Sequence, residues 1–295
     1  MKLKNTRMKW LLQKACLTLG VLTLCMPGVQ AKHIKVFILT GQSNSLGTTA
    51  NKTDTDPENL PASELDARIP FFWSNRSTTA ADGPAAIIGD SGGKILTMRK
   101  QQGQGRNPSF WGPEVAFCRG LYENGGRDFL LIKASRGGGG NGYWLKGKQM
   151  YQHVLDTVQA AVAQLEKHGH TYEIVAMLYL QGESNSATEA KLAGERLGDL
   201  IDELKKDLPH ARSMLTVVGG IAASGERRDL TRRLQKELAD RRDDTTHFST
   251  MDLQSHLYDR LHFDKKAKLE IGKRFYMHFV ALQEKKGRRQ GEAKR

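Results

Sequence analysis

The sequence predicts an α/β protein in which an open, parallel, five-stranded sheet lies between two layers of helices. Short apolar runs have the continuous hydrophobicity of strands that are buried on both faces. Between these runs lie longer segments with the apolar stripe of a helix. Because strands and helices alternate along the chain, we expect a three-layer α/β/α arrangement in one domain.

The predicted strands are short apolar runs, and each has the length expected of a strand in a parallel sheet. They alternate with helical segments, so neighbouring strands are expected to be connected by helices that cross the faces of the sheet. The five predicted strands span residues 33–40, 128–134, 174–180, 214–220 and 247–253.

The predicted helices carry recognisable ends. Pro113 suits the first turn of a helix that runs to Glu123, because a proline there loses no hydrogen bond. Gly169 closes the second helix, and Asp264 is suited to the N-cap of the last. The five predicted helices span residues 113–123, 146–167, 188–208, 227–242 and 264–284.

Residues 48–110 are the irregular part of the sequence, rich in Gly, Pro, Ser, Thr and Asn. A connection this long in a small domain is usually a binding loop or a lid. Residues 69–73 are apolar and predict a short extra strand within it. Neither an internal repeat nor an interdomain linker is evident, so we expect one domain over residues 32–283 and a basic tail over 284–295.

Basic residues outnumber acidic residues by 13, which at first suggests a nucleic-acid or membrane partner. The excess lies mainly at the two ends, since residues 1–31 contain five basic residues and no acid, and residues 284–295 contain six basic and two acidic residues. With 39% hydrophobic and 26% charged residues, the composition excludes a disordered chain and a multi-span membrane protein. We therefore expect a solvated C-terminal tail and no nucleic-acid partner.

The first 31 residues predict a secretory signal peptide. A basic segment precedes an apolar segment of 12 residues, 15–26, which is too short to cross a bilayer comfortably. Val29-Gln30-Ala31 then fits a cleavage site, so cleavage is expected after Ala31. The alternatives are an uncleaved anchor or a lipoprotein, which Leu24 disfavours because a small residue is expected before the lipidated Cys25. We expect a periplasmic or secreted protein with no stable membrane insertion after cleavage.

Cysteine usage agrees with this interpretation. Cys16 and Cys25 leave with the signal peptide, so Cys118 alone remains and the mature chain forms no internal disulfide. Because Cys118 follows the apolar residues 115–117, we expect it to be a core residue rather than a nucleophile.

Chemically capable residues follow four of the predicted strands. In an open parallel sheet, ligands bind beyond the carboxyl ends of the strands, so these residues are expected at one edge. The first group is Ser43, which lies in a Gly/Asn turn, and the second is a glycine-rich segment. The third is the pair Gln181 and Glu183, and the fourth is the pair Asp259 and His262. Acyl transfer by a serine requires these parts. Each alone has an ordinary structural explanation, and the hypothesis depends on their convergence.

The sequence does not match the motifs of several other classes of functional site. Residues 137–142 match the Gly-x-Gly-x-x-Gly dinucleotide pattern, but no strand ends in an acid about 20 residues later. Residues 142–148 nearly match a P-loop, but Gln149 stands where a hydroxyl should hold Mg²⁺. The sequence has no His-Glu-x-x-His motif, the pair of zinc-binding histidines found in metalloproteases. We therefore expect no cofactor and no metal.

Five short motifs occur in a definite order over about residues 33–280. They are Gly41-Gln42-Ser43-Asn44 with Gly47, Trp111-Gly112-Pro113-Glu114, Lys133 with Gly137-Gly138 and Trp144, Gln181-Gly182-Glu183-Ser184, and Asp259-x-x-His262-Phe263. One such tetrapeptide has little specificity, whereas five in order are specific. Together they resemble the sialate O-acetylesterase-like branch of the SGNH hydrolases, carbohydrate esterase family 6.

The resemblance implies a serine esterase that removes O-acetyl groups from acetylated poly- or oligosaccharides, with a flavodoxin-like α/β/α fold and no cofactor. It implies that Ser43 is the nucleophile, His262 the general base and Asp259 the residue that orients the imidazole. The implied oxyanion donors are the backbone N–H of Ser43, a glycine of the second block and the side chain of Gln181. Gly137 and Gly138 both fit that glycine, and we prefer Gly138.

Further residues are expected to support the site. Gln42, Asn44 and Gly137 belong to the same motifs, and Glu183 is expected to hold loop amides rather than to act in catalysis. Asp264 is the alternative to Asp259, although an N-cap role suits it better. The candidates for sugar contacts are Arg136, Trp111, Tyr143 and Trp144, with Trp73 as a further aromatic, although core packing is the usual role of a single aromatic.

The chain departs from the family pattern at two positions. Gly139 stands where the family usually has Thr, and Asn185 stands where it usually has Asp, which bears more on the substrate than on the reaction. Within enzymes the alternative is a general lipolytic or aryl esterase, but the polar segment 48–110 favours a carbohydrate. A non-catalytic carbohydrate-binding protein is the alternative from another class, and the intact Ser, His and Asp argue against it.

Overall fold

A computed structural model describes residues 30–48, 59–77, 85–103 and 109–292, so nearly all of the predicted signal peptide lies outside the described residues. The described strands are β1 His33–Gly41, β2 Pro70–Ser77, β3 Ala86–Asp90, β4 Leu96–Thr97, β5 Gln101–Gln102, β6 Ser109–Phe110, β7 Phe129–Gly137, β8 Thr171–Leu180, β9 Leu215–Gly219 and β10 Thr245–Phe248. The described helices are α1 Ser43–Leu46, α2 Glu114–Glu123, α3 Gln149–Lys167, α4 Ala187–Lys191, α5 Ala193–Asp207, α6 Glu226–Arg241 and α7 Lys265–Glu292. None of these helices is long and apolar enough to cross a membrane.

The main sheet has the strand order β10-β9-β8-β1-β7-β2-β3, and β4 pairs with β2. Neighbouring strands from β10 to β2 run parallel, whereas β3 and β4 run antiparallel to β2. Four of the five predicted strands are present near their predicted bounds, whereas the fifth lies at Thr245–Phe248 and the end of the predicted run 247–253 belongs to a 3₁₀ helix, Met251–His256. Strand β2 makes a sixth parallel strand. This strand extends past the predicted residues 69–73. The prediction stopped short because the second half of the strand, Ser74–Ser77, is polar and gave no hydrophobic signal.

Helices cover both faces of the sheet, which confirms the predicted three-layer α/β/α architecture. Residues of α3 and α5 pack on one face, and residues of α2 and α7 pack on the other. Successive residues of the central strand β1 point to opposite faces of the sheet. Ile38 therefore packs in the core on the side of α3 and α5, and Phe37 packs in the core on the side of α2 and α7. The Phe37 ring lies edge-on to Phe117 and Phe279, with centroids 5.2 and 5.1 Å away. Burial on both faces explains why this strand reads as a continuous apolar run.

Two helices differ from the prediction. Segment 188–208 is divided into α4 and α5 at Leu192, and a capping box of Ser186 and Glu189 opens α4. Helix α7 continues to Glu292, so much of the predicted tail is helical. Its basic and acidic residues are good helix formers, which explains why the helix outlasts its apolar face. The predicted N-cap is confirmed, because Asp264 Oδ1 accepts the backbone N–H of Ala267 at 2.9 Å.

The described parts of segment 48–110 contain strands β2 to β6, and β5 and β6 form a separate two-stranded sheet. This region is therefore more regular than its composition predicts. Residues 49–58, 78–84 and 104–108 lie outside the described residues. Cys118 is fully buried in the core between α2 and α7, as predicted.

Candidate active site

Ser43 lies at the first residue of the short helix α1, directly beyond the carboxyl end of β1. The chain makes a close crossing before it, where Gln42 donates its backbone N–H to Leu180 O on β8 at 3.0 Å. Gly41 has a φ of +145°, and a Cβ there would lie 2.0 Å from the same carbonyl oxygen. Only glycine therefore fits this crossing, which brings Ser43 to the sheet edge with 6% of its surface exposed.

The Ser43, His262 and Asp259 side chains form a continuous hydrogen-bonded line. His262 Nε2 lies 2.9 Å from Ser43 Oγ, and His262 Nδ1 lies 2.6 Å from Asp259 Oδ2. Partial burial acts to raise the pKa of Asp259, but the hydrogen bonds from His262 outweigh it and hold that pKa below the ordinary value. The carboxylate therefore stays ionised beside the imidazole.

A tight turn fixes the relation of Asp259 to His262. Asp259 Oδ1 accepts the backbone N–H of Leu261 at 3.1 Å and that of His262 at 2.7 Å. Across the turn, Tyr258 donates its backbone N–H to His262 O at 3.0 Å. The three-residue spacing of the Asp-x-x-His motif thus lets one carboxylate bind both the backbone and the imidazole of the histidine.

Asp264 is directed elsewhere. Besides capping α7, it places Oδ2 2.8 Å from His256 Nδ1. Both of its oxygens therefore have partners other than His262. Within the described ranges, no group of three or more His, Cys, Asp or Glu side chains is placed to hold a metal ion.

Asn44 joins three segments behind the serine. Its Nδ2 donates to Glu183 Oε1 at 2.6 Å and to Leu261 O at 3.0 Å, while its Oδ1 accepts the backbone N–H of Phe263 at 3.0 Å. The histidine turn is thereby attached to the helix that carries Ser43. Glu183 binds a side-chain amide here, whereas we expected it to hold backbone amides.

Glu183 is 4% exposed, and burial raises its pKa against the opposing effect of the Asn44 hydrogen bond. The Gln42 side chain binds loop backbone amides, a role that we expected of Glu183. Its Oε1 accepts the N–H groups of Gly182 at 3.2 Å and Ser184 at 3.3 Å, which ties the segments after β1 and β8 together.

The glycine pair after β7 presents two different environments. A Cβ on Gly137 would lie 2.6 Å from Ser77 Oγ, so this residue is packed against β2. Gly138 has a φ of +68°, and no described residue other than its chain neighbours has an atom within 4 Å of the place where its Cβ would be. Gly138 therefore borders open space at the carboxyl edge of the sheet, where a ligand can approach its backbone.

Gln181 is fully buried beside these loops. Its Nε2 donates to Asn185 Oδ1 at 2.7 Å and makes only long contacts of 3.4 Å with Gly139 O and 3.5 Å with Gln42 Oε1. One N–H of the amide is thus well held, and the other is weakly held and open to a better acceptor. Asn185, a departure from the family pattern, is the residue that orients this amide.

A buried ion pair supports the serine turn from behind. Lys133 Nζ lies 2.9 Å from Glu114 Oε1 and 2.9 Å from Leu46 O, and both side chains are fully buried. Burial lowers the pKa of Lys133 against the opposing effect of Glu114. We did not assign this role from the sequence, although a lysine inside the apolar run Phe129–Gly137 is a usable signal, because a buried charge needs a partner.

The predicted sugar contacts fit the structure poorly. Trp111 and Trp144 are 0% and 1% exposed, so neither presents a ring face to a ligand; Trp73 is also buried. Arg136 is 1% exposed, and its guanidinium lies 3.7 Å from the centroid of the Tyr143 ring. Apolar packing accounts for the tryptophans, and of this set Tyr143 alone is half-exposed.

Sequence reasoning missed an aromatic that borders His262. The Tyr258 ring is stacked beside the imidazole, with centroids 5.9 Å apart and planes at 25°, and the residue is 39% exposed. Its position directly before the Asp-x-x-His motif was the available signal. An exposed ring at this point offers a flat apolar surface to a ligand that enters beside Ser43.

The fold of the chain is similar to that of several solved structures. Among solved structures, it is similar to a protein from Arabidopsis thaliana, with a TM-score of 0.59 and 20% identity over 84% of this chain and 98% of that one. It is also similar to NanS, with a TM-score of 0.57 and 14% identity over 86% and 98% of the two chains. A carbohydrate acetylesterase from Xanthomonas citri matches with a TM-score of 0.54 and 14% identity, over 82% of this chain and 55% of that one.

These structural likenesses agree with the predicted SGNH-like fold. None of the curated proteins matches the chain. Residues 33–281 match the family described as carbohydrate esterase, sialic acid-specific acetylesterase. Since the match covers most of the chain, the protein belongs to this family of acetylesterases and is a carboxylic ester hydrolase.

Proposed function

We propose that the protein hydrolyses O-acetyl esters of carbohydrates through an acetyl-enzyme on Ser43. The observation that carries this proposal is the line of hydrogen bonds from Ser43 through His262 to Asp259, at 2.9 and 2.6 Å. A serine needs an adjacent base to become a nucleophile, and the base needs a third group to orient it. Family membership supports the carbohydrate acetyl ester as the substrate class.

In the proposed first half-reaction, Ser43 Oγ attacks the acetyl carbonyl carbon while His262 Nε2 accepts the hydroxyl proton. The tetrahedral intermediate collapses as the C–O bond to the sugar breaks, and His262 returns the proton to the leaving sugar oxygen. In the second half, His262 takes a proton from water, which attacks the acetyl-enzyme. Acetate leaves and Ser43 regains its proton. Asp259 keeps the imidazole in the tautomer that has its acceptor nitrogen toward Ser43.

The negative oxygen of each intermediate needs donors aimed at it. We propose the backbone N–H groups of Ser43 and Gly138 and the Nε2 of Gln181 for this role. The open space beside Gly138 and the weakly held N–H of Gln181 support the assignment. Asn185 positions the Gln181 amide, and Gln42, Asn44 and Glu183 hold the surrounding turns.

Hydrolysis of p-nitrophenyl esters of increasing acyl length, together with acetate release from acetylated xylan, pectin and sialic acid, tests this function. We expect activity confined to acetate and release from at least one of these carbohydrates. A preference for long acyl chains would instead identify a lipolytic or aryl esterase. Absence of turnover on every ester would indicate a carbohydrate-binding protein and contradict the proposal.

Gln181→Ala is expected to lower kcat by about 10²- to 10³-fold, because one oxyanion donor is lost. Steady-state kinetics on an aryl acetate measures the effect. Tyr179→Phe is the matched control, since the Tyr179 hydroxyl donates to Gln181 Oε1 at 3.1 Å and its removal leaves the Nε2 donor in place. A rise in KM alone for Gln181→Ala would make Gln181 a substrate-binding residue rather than an oxyanion donor.

We also propose that the protein is exported and processed after Ala31. The basic segment, the short apolar segment and the Val-x-Ala site of residues 1–31 support this. Intact mass of the exported protein should correspond to a chain that starts at Lys32, and retention of the first 31 residues would contradict the proposal.

A further inference from the structure

Arg260 lies at the tip of the turn that holds Asp259 and His262, and its backbone conformation is unusual. Its φ is +66°, and within the described residues only His210, at 57°, is another non-glycine residue with positive φ. The left-handed region is unfavourable for a side chain with a Cβ, whereas glycine adopts it freely. Local folding alone would therefore favour glycine at this position.

The arginine side chain contributes little to the fold that would offset this strain. Arg260 is exposed, and within the described ranges it forms no ion pair with an acid. Asp259, its neighbour, is already bound to His262, and the buried Glu183 is bound to Asn44. An unfavourable conformation that no structural contact explains indicates a functional use of the side chain.

The position of Arg260 suits contact with a substrate. It is two residues from His262, whose Nε2 lies 2.9 Å from Ser43 Oγ, so its long side chain starts at the edge of the proposed reaction site. Tyr258 lies on the same turn and presents an exposed ring beside the imidazole. A cation and an exposed ring on the same turn suit a sugar that carries both a carboxylate and a C–H face.

We propose that Arg260 binds the carboxylate of an acetylated acidic sugar, while Tyr258 packs against the sugar ring. The planar guanidinium donates two parallel N–H bonds to a carboxylate, which a lysine or a neutral residue at this position would not reproduce. This inference rests on the proposed function, since it assigns the determinant of substrate choice at the same site.

Arg260→Gly separates the binding role from a structural role, because glycine is the better residue for this backbone. We expect an unchanged or higher Tm and an unchanged kcat/KM on p-nitrophenyl acetate. With O-acetylated N-acetylneuraminic acid, KM should rise by about 10- to 100-fold, as expected for loss of hydrogen bonds to a charged group, at a similar kcat. Arg260→Lys, which keeps only the charge, should recover part of this loss.

His210→Gly is the matched control, since it places glycine at the other described non-glycine position with positive φ. The His210 ring packs on Tyr172, with centroids 5.1 Å apart. It should leave KM for the acidic sugar unchanged. A KM that is equally unchanged in Arg260→Gly would overturn the proposal, as would an equal loss of activity on the aryl acetate.

Binding without turnover distinguishes this inference from the proposed function. We would titrate N-acetylneuraminic acid and its methyl ester into the protein with Ser43 replaced by alanine, with and without Arg260→Gly. The acid should bind more tightly than the ester only when Arg260 is present. Equal binding of acid and ester to the chain that retains Arg260 would overturn the carboxylate site. Tighter binding of the acid in a protein that hydrolyses no acetyl ester would refute the proposed function alone.

Discussion

Ser43→Ala is expected to lower kcat for acetate release by about 10⁴-fold or more, because the proposed nucleophile is lost and only binding and oxyanion donors remain. Stability should hardly change. The Ser43 hydroxyl contacts His262 at the partly open sheet edge, and no apolar core contact depends on it. Steady-state kinetics and thermal unfolding of the purified variant measure the two quantities.

Ser45→Ala is the matched control on the same helical turn. Ser45 Oγ lies 2.6 Å from Ser135 Oγ and is fully buried, so its loss should reduce stability and leave most of the activity. A Ser43→Ala variant that retains more than about a tenth of the native kcat would remove Ser43 from the nucleophile role, given the losses typical of serine hydrolases.

Asp259→Asn is expected to lower kcat by up to about 10⁴-fold, as in related Ser-His-Asp arrangements. The amide oxygen can still accept the N–H groups of Leu261 and His262, so the turn should persist. The amide NH₂ then faces His262 Nδ1, where the carboxylate oxygen now lies at 2.6 Å. A donor at this position favours the tautomer with its N–H toward Ser43, which cannot accept the serine proton.

Asp264→Asn provides the comparison. Asparagine is a good N-cap, so the bond to Ala267 should survive, and we expect small effects on kcat and on Tm. Small and equal effects of both substitutions would mean that His262 acts with Ser43 alone. A large effect of Asp264→Asn only would show that the orienting carboxylate has been assigned wrongly.

The meeting of Ser43, Gln181 and the Asp259–His262 pair at one edge could be predicted from the sequence. Each follows a buried apolar run, and the carboxyl ends of parallel strands share one edge of a sheet. The spacing of Asp259 and His262 also predicted their contact, since residues three apart in a turn are neighbours. Each of these patterns involves residues that are close together in the sequence, so it can be recognised without knowledge of the fold.

Features that depend on long-range packing could not be predicted. The exposure of Trp111 and Trp144 depends on which neighbours cover them, and both are buried. The polar second half of β2 is a strand because β7 and β3 flank it, although it lacks an apolar pattern. The positive φ of Arg260 is likewise invisible in the sequence, where an arginine predicts ordinary backbone.

The acyl-enzyme is the central claim, and the most direct measurement is the mass of the protein quenched with acid during turnover of p-nitrophenyl acetate. We expect a fraction of the chains to carry one additional acetyl group, and peptide mapping to assign it to Ser43. The same experiment on Ser43→Ala should yield no such species. An acetyl group assigned to another residue, or burst-phase release of p-nitrophenol without acetylation of Ser43, would contradict the account.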